Sequence, residues 1–124
     1  MVTRADLPPG TQACQAIHAA CDFAVAHPRI FAEWQRDSNT MVLLAVRDEL
    51  DLQRLRSDAV VAGRRSVAFH EPDLGDALTA LALEPAAHRL VRHLPLALVP
   101  GPPHGPQCPQ GMDPPFTGRR GVKP

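Results

Sequence analysis

Lysine is almost missing from this 124-residue chain: twelve of its thirteen basic residues are arginine, and the one lysine is Lys123. A net charge is missing too, since thirteen basic residues meet thirteen acidic ones. Proteins that hold nucleic acid by charge carry a basic face, because phosphate neutralisation drives the affinity. The overall composition supplies no such face. A local patch stays open, because arginine is the better phosphate fork. No stretch approaches the ~18 apolar residues of a membrane span, and no charged-then-apolar leader is expected before the domain. The expected setting is the cytoplasm, away from membranes. Cysteine is scarce and odd in number: Cys14, Cys21 and Cys108. On a helix Cys14 and Cys21 would stand about 10 Å apart along the axis, too far for a disulfide. Buried, reduced thiols are expected.

Proline and glycine are scarce only in the first part of the chain. Residues 100–124 hold eight of the fourteen prolines and five of the eight glycines. Such a composition buries too little apolar surface to offset its ordering entropy, so this tail is expected to be disordered. Residues 1–99 are then one domain, large enough for a modest core. They carry ten arginines against twelve acidic residues.

Met1 to Arg4 reads as a short strand, below the usual five or six residues. Asp6 to Gly10 reads as a turn, with Pro8 and Pro9 holding off a helix and Thr11 as its N-cap. Cys14, Ile17, Cys21, Ala24 and Val25 recur at helical spacing and predict the buried face of the first helix, which Pro28 ends. Arg29 to about Arg36 is a short helix with Ile30, Phe31 and Trp34 on one side. Thr40 to Val46 is an apolar run of strand length, expected to be covered on both faces. Asp48 caps a third helix whose inward stripe is Leu52, Leu55, Ala59 and Ala62, with Gly63 at its C-terminal end. Strands follow at Ser66–His70 and Thr79–Leu83. Pro85 opens a last helix with Ala87, Leu90, Val91 and Leu94 inward. The order β-α-α-β-α-β-β-α predicts an α/β fold: a four-stranded mixed sheet with helices on both faces.

Two segments some sixty residues apart carry the chemistry. One is Arg4-Ala-Asp-Leu-Pro-Pro-Gly10 with Gln15-Ala-Ile-His18-Ala-Ala20; the other is Glu71-Pro-Asp-Leu-Gly75 with Thr79-Ala-Leu-Ala-Leu-Glu-Pro85. Together they resemble the class II (archaeal/eukaryotic-type) peptidyl-tRNA hydrolases, in the right order over roughly residues 2–98. The resemblance implies hydrolysis of the ester between a peptide and the 3′ ribose of tRNA. That reaction needs an oriented water, donors for the oxyanion and cations for the RNA end. It implies catalytic roles at Asp73 (or Glu71, since the loop aligns in two ways) and at Thr79. Gln15 and His18, on one helix face, are candidates beside them, and Asp6 is a candidate from its place at the carboxyl end of the first strand, the usual ligand side. The family's first-loop lysine falls on Thr11, which carries no charge. Arg4 approaches the same space, although a guanidinium donates no proton at neutral pH. Arg4, Thr11, Arg64 and Arg65 are the candidate substrate contacts, the last two as backbone binders.

Each residue also has a plain structural reading. Asp73 can be a turn residue before Leu74-Gly75, Thr79 a strand hydroxyl, and Gln15 with His18 a hydrogen-bonded helix pair one turn apart. Cys14, His18 and Cys21 have a helical ligand spacing but no evident fourth ligand, so no metal is expected; nor is a cofactor. The leading expectation is a peptidyl-tRNA hydrolase of reduced or altered activity, because the first-loop cation is gone. The rival is a non-catalytic domain of the same fold that binds a protein or nucleotide-like ligand. A hydrolase for another ester or amide is a third reading, since fold does not fix substrate. A homodimer is common in the family, and Ile30, Phe31 and Trp34 could serve one as readily as a core.

Overall fold

A computed structural model of the chain describes residues 1–99. The tail expected to be disordered lies outside the described residues, as does Cys108. The elements are β1 (Val2–Arg4), α1 (Pro9–Ala26), α2 (Pro28–Asp37), β2 (Leu44–Val46), α3 (Glu49–Val61), β3 (Ser66–Glu71), β4 (Ala77–Leu83) and α4 (His88–Val91). Single 3-10 turns at Pro72–Leu74 and Pro85–Ala87 precede β4 and α4. The sheet runs β2-β1-β4-β3, with β1 parallel to β2 and antiparallel to β4, and β3 antiparallel to β4. It is the expected four-stranded mixed sheet. The carboxyl ends of β1, β2 and β3 therefore share one end with the start of β4.

Two apolar layers flank the sheet. On one face Leu52 and Leu55 of α3 and Val91 of α4 pack with Val2, Val46, Leu78 and Leu81. On the other, Ala19 and Phe23 of α1 pack with Ala80 and Ala82, joined by Ile30 and Phe31 of α2. The caps of α3 follow local rules. The Asp48 carboxylate accepts from the Asp51 N–H at 3.0 Å, and Gly63 takes the left-handed conformation (φ 68°) that ends the helix. Of the expected stripe Leu52, Leu55 and Ala59 are buried, while Ala62 is exposed.

Helix α1 is turned away from its expected orientation. It starts at Pro9, with Pro8 and not Thr11 at its cap. Proline fits the first turn because no N–H is needed there. The buried residues are Gln12, Gln15, Ala16, Ala19 and Phe23. Cys14, Ile17, Cys21 and Val25 face out, Val25 at 84% exposure, so the described thiols are exposed and not buried. The small Ala16 and Ala19 let the helix lie close on the sheet; Gln15 beside them finds partners at both ends of its amide, and Gln12 donates back to the Leu7 carbonyl. That geometry outweighs the larger side chains on the far face.

Two other elements are shorter than expected. β2 covers only Leu44–Val46, because β1 offers just three residues to pair with. Its outer edge is partly covered by the segment after α4, where Leu96 bridges Leu44. α4 is one turn; its Leu90 packs on the α3 layer, as does Leu94 from the irregular chain after it.

One irregularity places the site. Phe69 pairs with Ala80 but His70 pairs with Leu78, so Thr79 has no partner on β3. This extra residue is a β-bulge. It puts Thr79 and Ala80 both on the α1 side, while Leu78 and Leu81 face α3. Strict alternation would send Thr79 and Ala80 to opposite faces.

Candidate functional site

The bulge turns the Thr79 hydroxyl toward the first half of α1. Thr79 is fully buried, and its Oγ1 donates to Gln15 Oε1 at 2.8 Å. The Phe69 carbonyl lies further off, at 3.3 Å. Gln15, itself only 5% exposed, donates from Nε2 to Glu71 Oε2 at 2.8 Å. The other carboxylate oxygen, Oε1, accepts from the Asp73 N–H at 3.2 Å. A buried hydroxyl, a buried amide and a half-buried carboxylate thus form one chain of hydrogen bonds from the sheet to the surface. Gln15 and the Asp73 N–H hold the Glu71 carboxyl below the usual carboxylate range, with a smaller contribution from nearby His18. His18 lies one turn after Gln15 and stacks flat on Phe69, ring centres 4.6 Å apart and planes 9° apart.

The 3-10 turn after Glu71 presents Asp73 outward. Gly75 and Asp76, both with positive φ (64° and 58°), then turn the chain into β4. Asp73 is exposed, and its own backbone donates to Glu71. Of the two carboxylates that the sequence left open, Glu71 is the one joined to Gln15. Thr79 has no surface toward solvent, so it cannot touch a water directly. Its place in the chain is to set Gln15.

The other expected residues divide. Asp6 accepts from Arg4 Nε at 3.0 Å and from Nη2 at 2.8 Å. Those bonds lower the Asp6 carboxyl and raise the Arg4 guanidinium. Arg4 Nη1 donates to the Leu78 carbonyl at 3.1 Å and lies 3.5 Å from Glu49 Oε2. Arg4 therefore does not supply a free cation to the first loop; its donors are committed to the protein. Asp6 and Arg4 share the strand-end region with Glu71 but belong to the α3 side through Glu49, and no hydrogen bond joins them to Gln15 or Glu71 among the described residues. Thr11 is half-buried in the first turn of α1. Beside it, Gln12 Nε2 donates to the Leu7 carbonyl at 2.7 Å, and its buried Oε1 has no partner.

Arg64 and Arg65 are exposed at the start of β3, the far end of that strand from Glu71. Five residue steps at a strand's rise separate Ser66 from Glu71 by about 17 Å, so this pair does not line the same site. Nor does an apolar cavity of about 390 Å³ among Phe23, Phe31, Trp34 and Leu83, which none of Gln15, Glu71 or Thr79 lines. Among the described residues no group of three or more His, Cys, Asp or Glu could hold a metal ion, and no helix is long and apolar enough to cross a membrane.

The sequence reading missed two residues around Thr79: Thr3, whose hydroxyl donates to the Thr79 carbonyl, and Glu49, which accepts from the Leu78 N–H. Only the strand register, which no local pattern shows, would have pointed to them.

Fold and site together define a small α/β domain with a polar centre where β1 and β3 end and β4 begins. The family model for peptidyl-tRNA hydrolase PTH2 matches residues 1–98, and the chain belongs to that family. No curated protein matches it. Membership supports a function in peptidyl-tRNA hydrolysis in general, with peptidyl-tRNA as the family's substrate.

Proposed function

We propose that this chain cleaves the ester between a peptide and the tRNA 3′ end, and that Glu71 orients the attacking water. The observation that carries this is the chain Thr79–Gln15–Glu71, which holds an ionised carboxylate in one orientation at the surface. A general base needs both reach and a fixed direction. Here Gln15 fixes the direction of Glu71, and Thr79 fixes Gln15. Asp73 and His18 stand exposed beside it, His18 as a donor to the carbonyl oxygen or the terminal adenosine and Asp73 as a flanking charge. Arg64 and Arg65 contact the tRNA backbone away from the reacting ester. The reaction is slow in this chain, because the first loop presents Thr11 where the resemblance implies a lysine, and Arg4 is committed elsewhere. The cytoplasm is the expected place of action, and a homodimer is a state the resemblance suggests.

The test is release of labelled peptide from a peptidyl-tRNA, with aminoacyl-tRNA as a control. Release above buffer that saturates with substrate supports the reading; none at high protein concentration counts against it. The rival, a binding domain without chemistry, draws support from the same committed Arg4. It predicts binding of a ligand with no turnover.

A further inference from the structure

β1 pairs with β4 only at Val2–Leu81 and Thr3–Ala80. Below that pair the backbone of β4 has lost its neighbour strand, just where the bulge also disturbs the ladder on the β3 side. Buried backbone groups need partners, and three side chains supply them. The Glu49 carboxylate accepts from the Leu78 N–H at 3.1 Å. Arg4 Nη1 donates to the Leu78 carbonyl at 3.1 Å. The fully buried Thr3 hydroxyl donates to the Thr79 carbonyl, also at 3.1 Å. Arg4 is itself held by Asp6 and by Glu49. Side chains from β1 and α3 thus take the place of a missing stretch of strand, on both sides of the Leu78–Thr79 peptide.

We propose that Thr3, Arg4 and Glu49 are positioning residues, which clamp the β4 bulge so that the Thr79 hydroxyl meets Gln15 and, through it, orients Glu71. This rests on the reading of Glu71 given above and adds the device that sets it. None of the three touches substrate. Without the clamp the bulge can migrate or relax by one residue, and Thr79 then leaves the α1 face.

Thr3 gives the most selective test, because Thr3→Val removes the hydroxyl at nearly the same shape. In the 124-residue chain, Thr3→Val, Thr3→Ser, Thr79→Val and the pair Thr3→Val with Thr79→Val are compared. Two readouts are taken: kcat and KM for peptide release, and the NMR signals of the Gln15 side-chain amide with the titration of the Glu71 carboxyl. Thr3→Val is expected to lower kcat on the order of tenfold to a hundredfold with KM little changed, the loss that small misplacements cause. It moves the Gln15 signal and raises the Glu71 midpoint as Thr79→Val does, the pair shows no further change, and Thr3→Ser restores both. Thr3→Val that loses stability but leaves the Gln15 signal and the Glu71 titration at wild-type values overturns the proposal. Should Thr3→Val fail to fold, Glu49→Ala at the half-exposed end of the clamp is read in the same way. The NMR readout decides even if wild-type protein releases no peptide, so failure of the clamp and failure of the hydrolase reading are distinguishable.

Discussion

The Thr79 hydroxyl and the Gln15 amide oxygen lie 2.8 Å apart, and the direction of their bond is fixed from its far end. Glu71, ionised, can only accept. Gln15 must therefore turn its nitrogen outward to Glu71, at 2.8 Å. Its oxygen then faces inward, and Thr79 must donate. One surface charge sets the sense of two buried hydrogen bonds, and the same bonds set the orientation of that charge.

The pH dependence follows from this. Hydrogen bonds donated to a carboxylate favour its ionised form. The Glu71 midpoint in the folded protein lies below that of an ordinary glutamate, about 4.3. Its contribution to stability is complete above the unfolded value and is lost as pH falls through the lower folded value. Gln15→Leu removes the larger cause, so the Glu71 midpoint rises toward the ordinary value, as carboxyl NMR titration would show. An unchanged midpoint would mean that Gln15 does not hold Glu71.

Thr79→Val leaves the buried Gln15 oxygen without a donor. A buried polar group left unpaired costs about 1–3 kcal/mol, measured here by urea unfolding at neutral pH. Thr79→Ser keeps the donor and should recover most of the loss. Equal stability of the valine variant and wild type would contradict the buried bond.

Arg4 and the pair Arg64–Arg65 make opposite predictions for tRNA binding. Arg4→Met destabilises the protein, because two hydrogen bonds to Asp6 and one to Leu78 disappear. The half-exposed Asp6 contact contributes little of this, at most about 1 kcal/mol after solvent screening. The salt slope of tRNA affinity should be unchanged in Arg4→Met. Arg64→Ala and Arg65→Ala should each leave stability alone and reduce that slope by about 1. A reduced slope in Arg4→Met would return Arg4 to the RNA contacts.

The orientation of α1 is checked by its thiols. Cys14 and Cys21 are exposed, so a thiol reagent should modify both in the native state. Cys14→Ser and Cys21→Ser should each change stability by less than about 0.5 kcal/mol, as surface substitutions do. Protection of both thiols until unfolding would restore the face expected from periodicity.

The contrast between α1 and α3 shows what the sequence could reveal. In α3 the Asp48 cap and Gly63 obey local rules and hold, and so does the apolar stripe except for Ala62, which caps the helix in the open. In α1 the apolar stripe misleads, because two glutamines are buried for their hydrogen bonds and the alanines for their small size. Strand existence and order were legible from apolar runs and turn residues. The bulge was not: a single unpaired residue leaves no mark on composition or period. For the same reason Gln15 and Thr79 were visible as candidates, whereas Glu71 stayed an alternative to Asp73, and Thr3 and Glu49 passed unnoticed. Their roles depend on register between segments far apart in the chain.

The most direct measurement compares peptide release by wild type, Glu71→Gln and Asp73→Asn under saturating peptidyl-tRNA. Wild type is expected to release peptide measurably, Glu71→Gln to lose about 10²- to 10⁴-fold, the usual worth of a general base, and Asp73→Asn to stay near wild type. Release that survives in Glu71→Gln but disappears in Asp73→Asn would contradict the role given to Glu71.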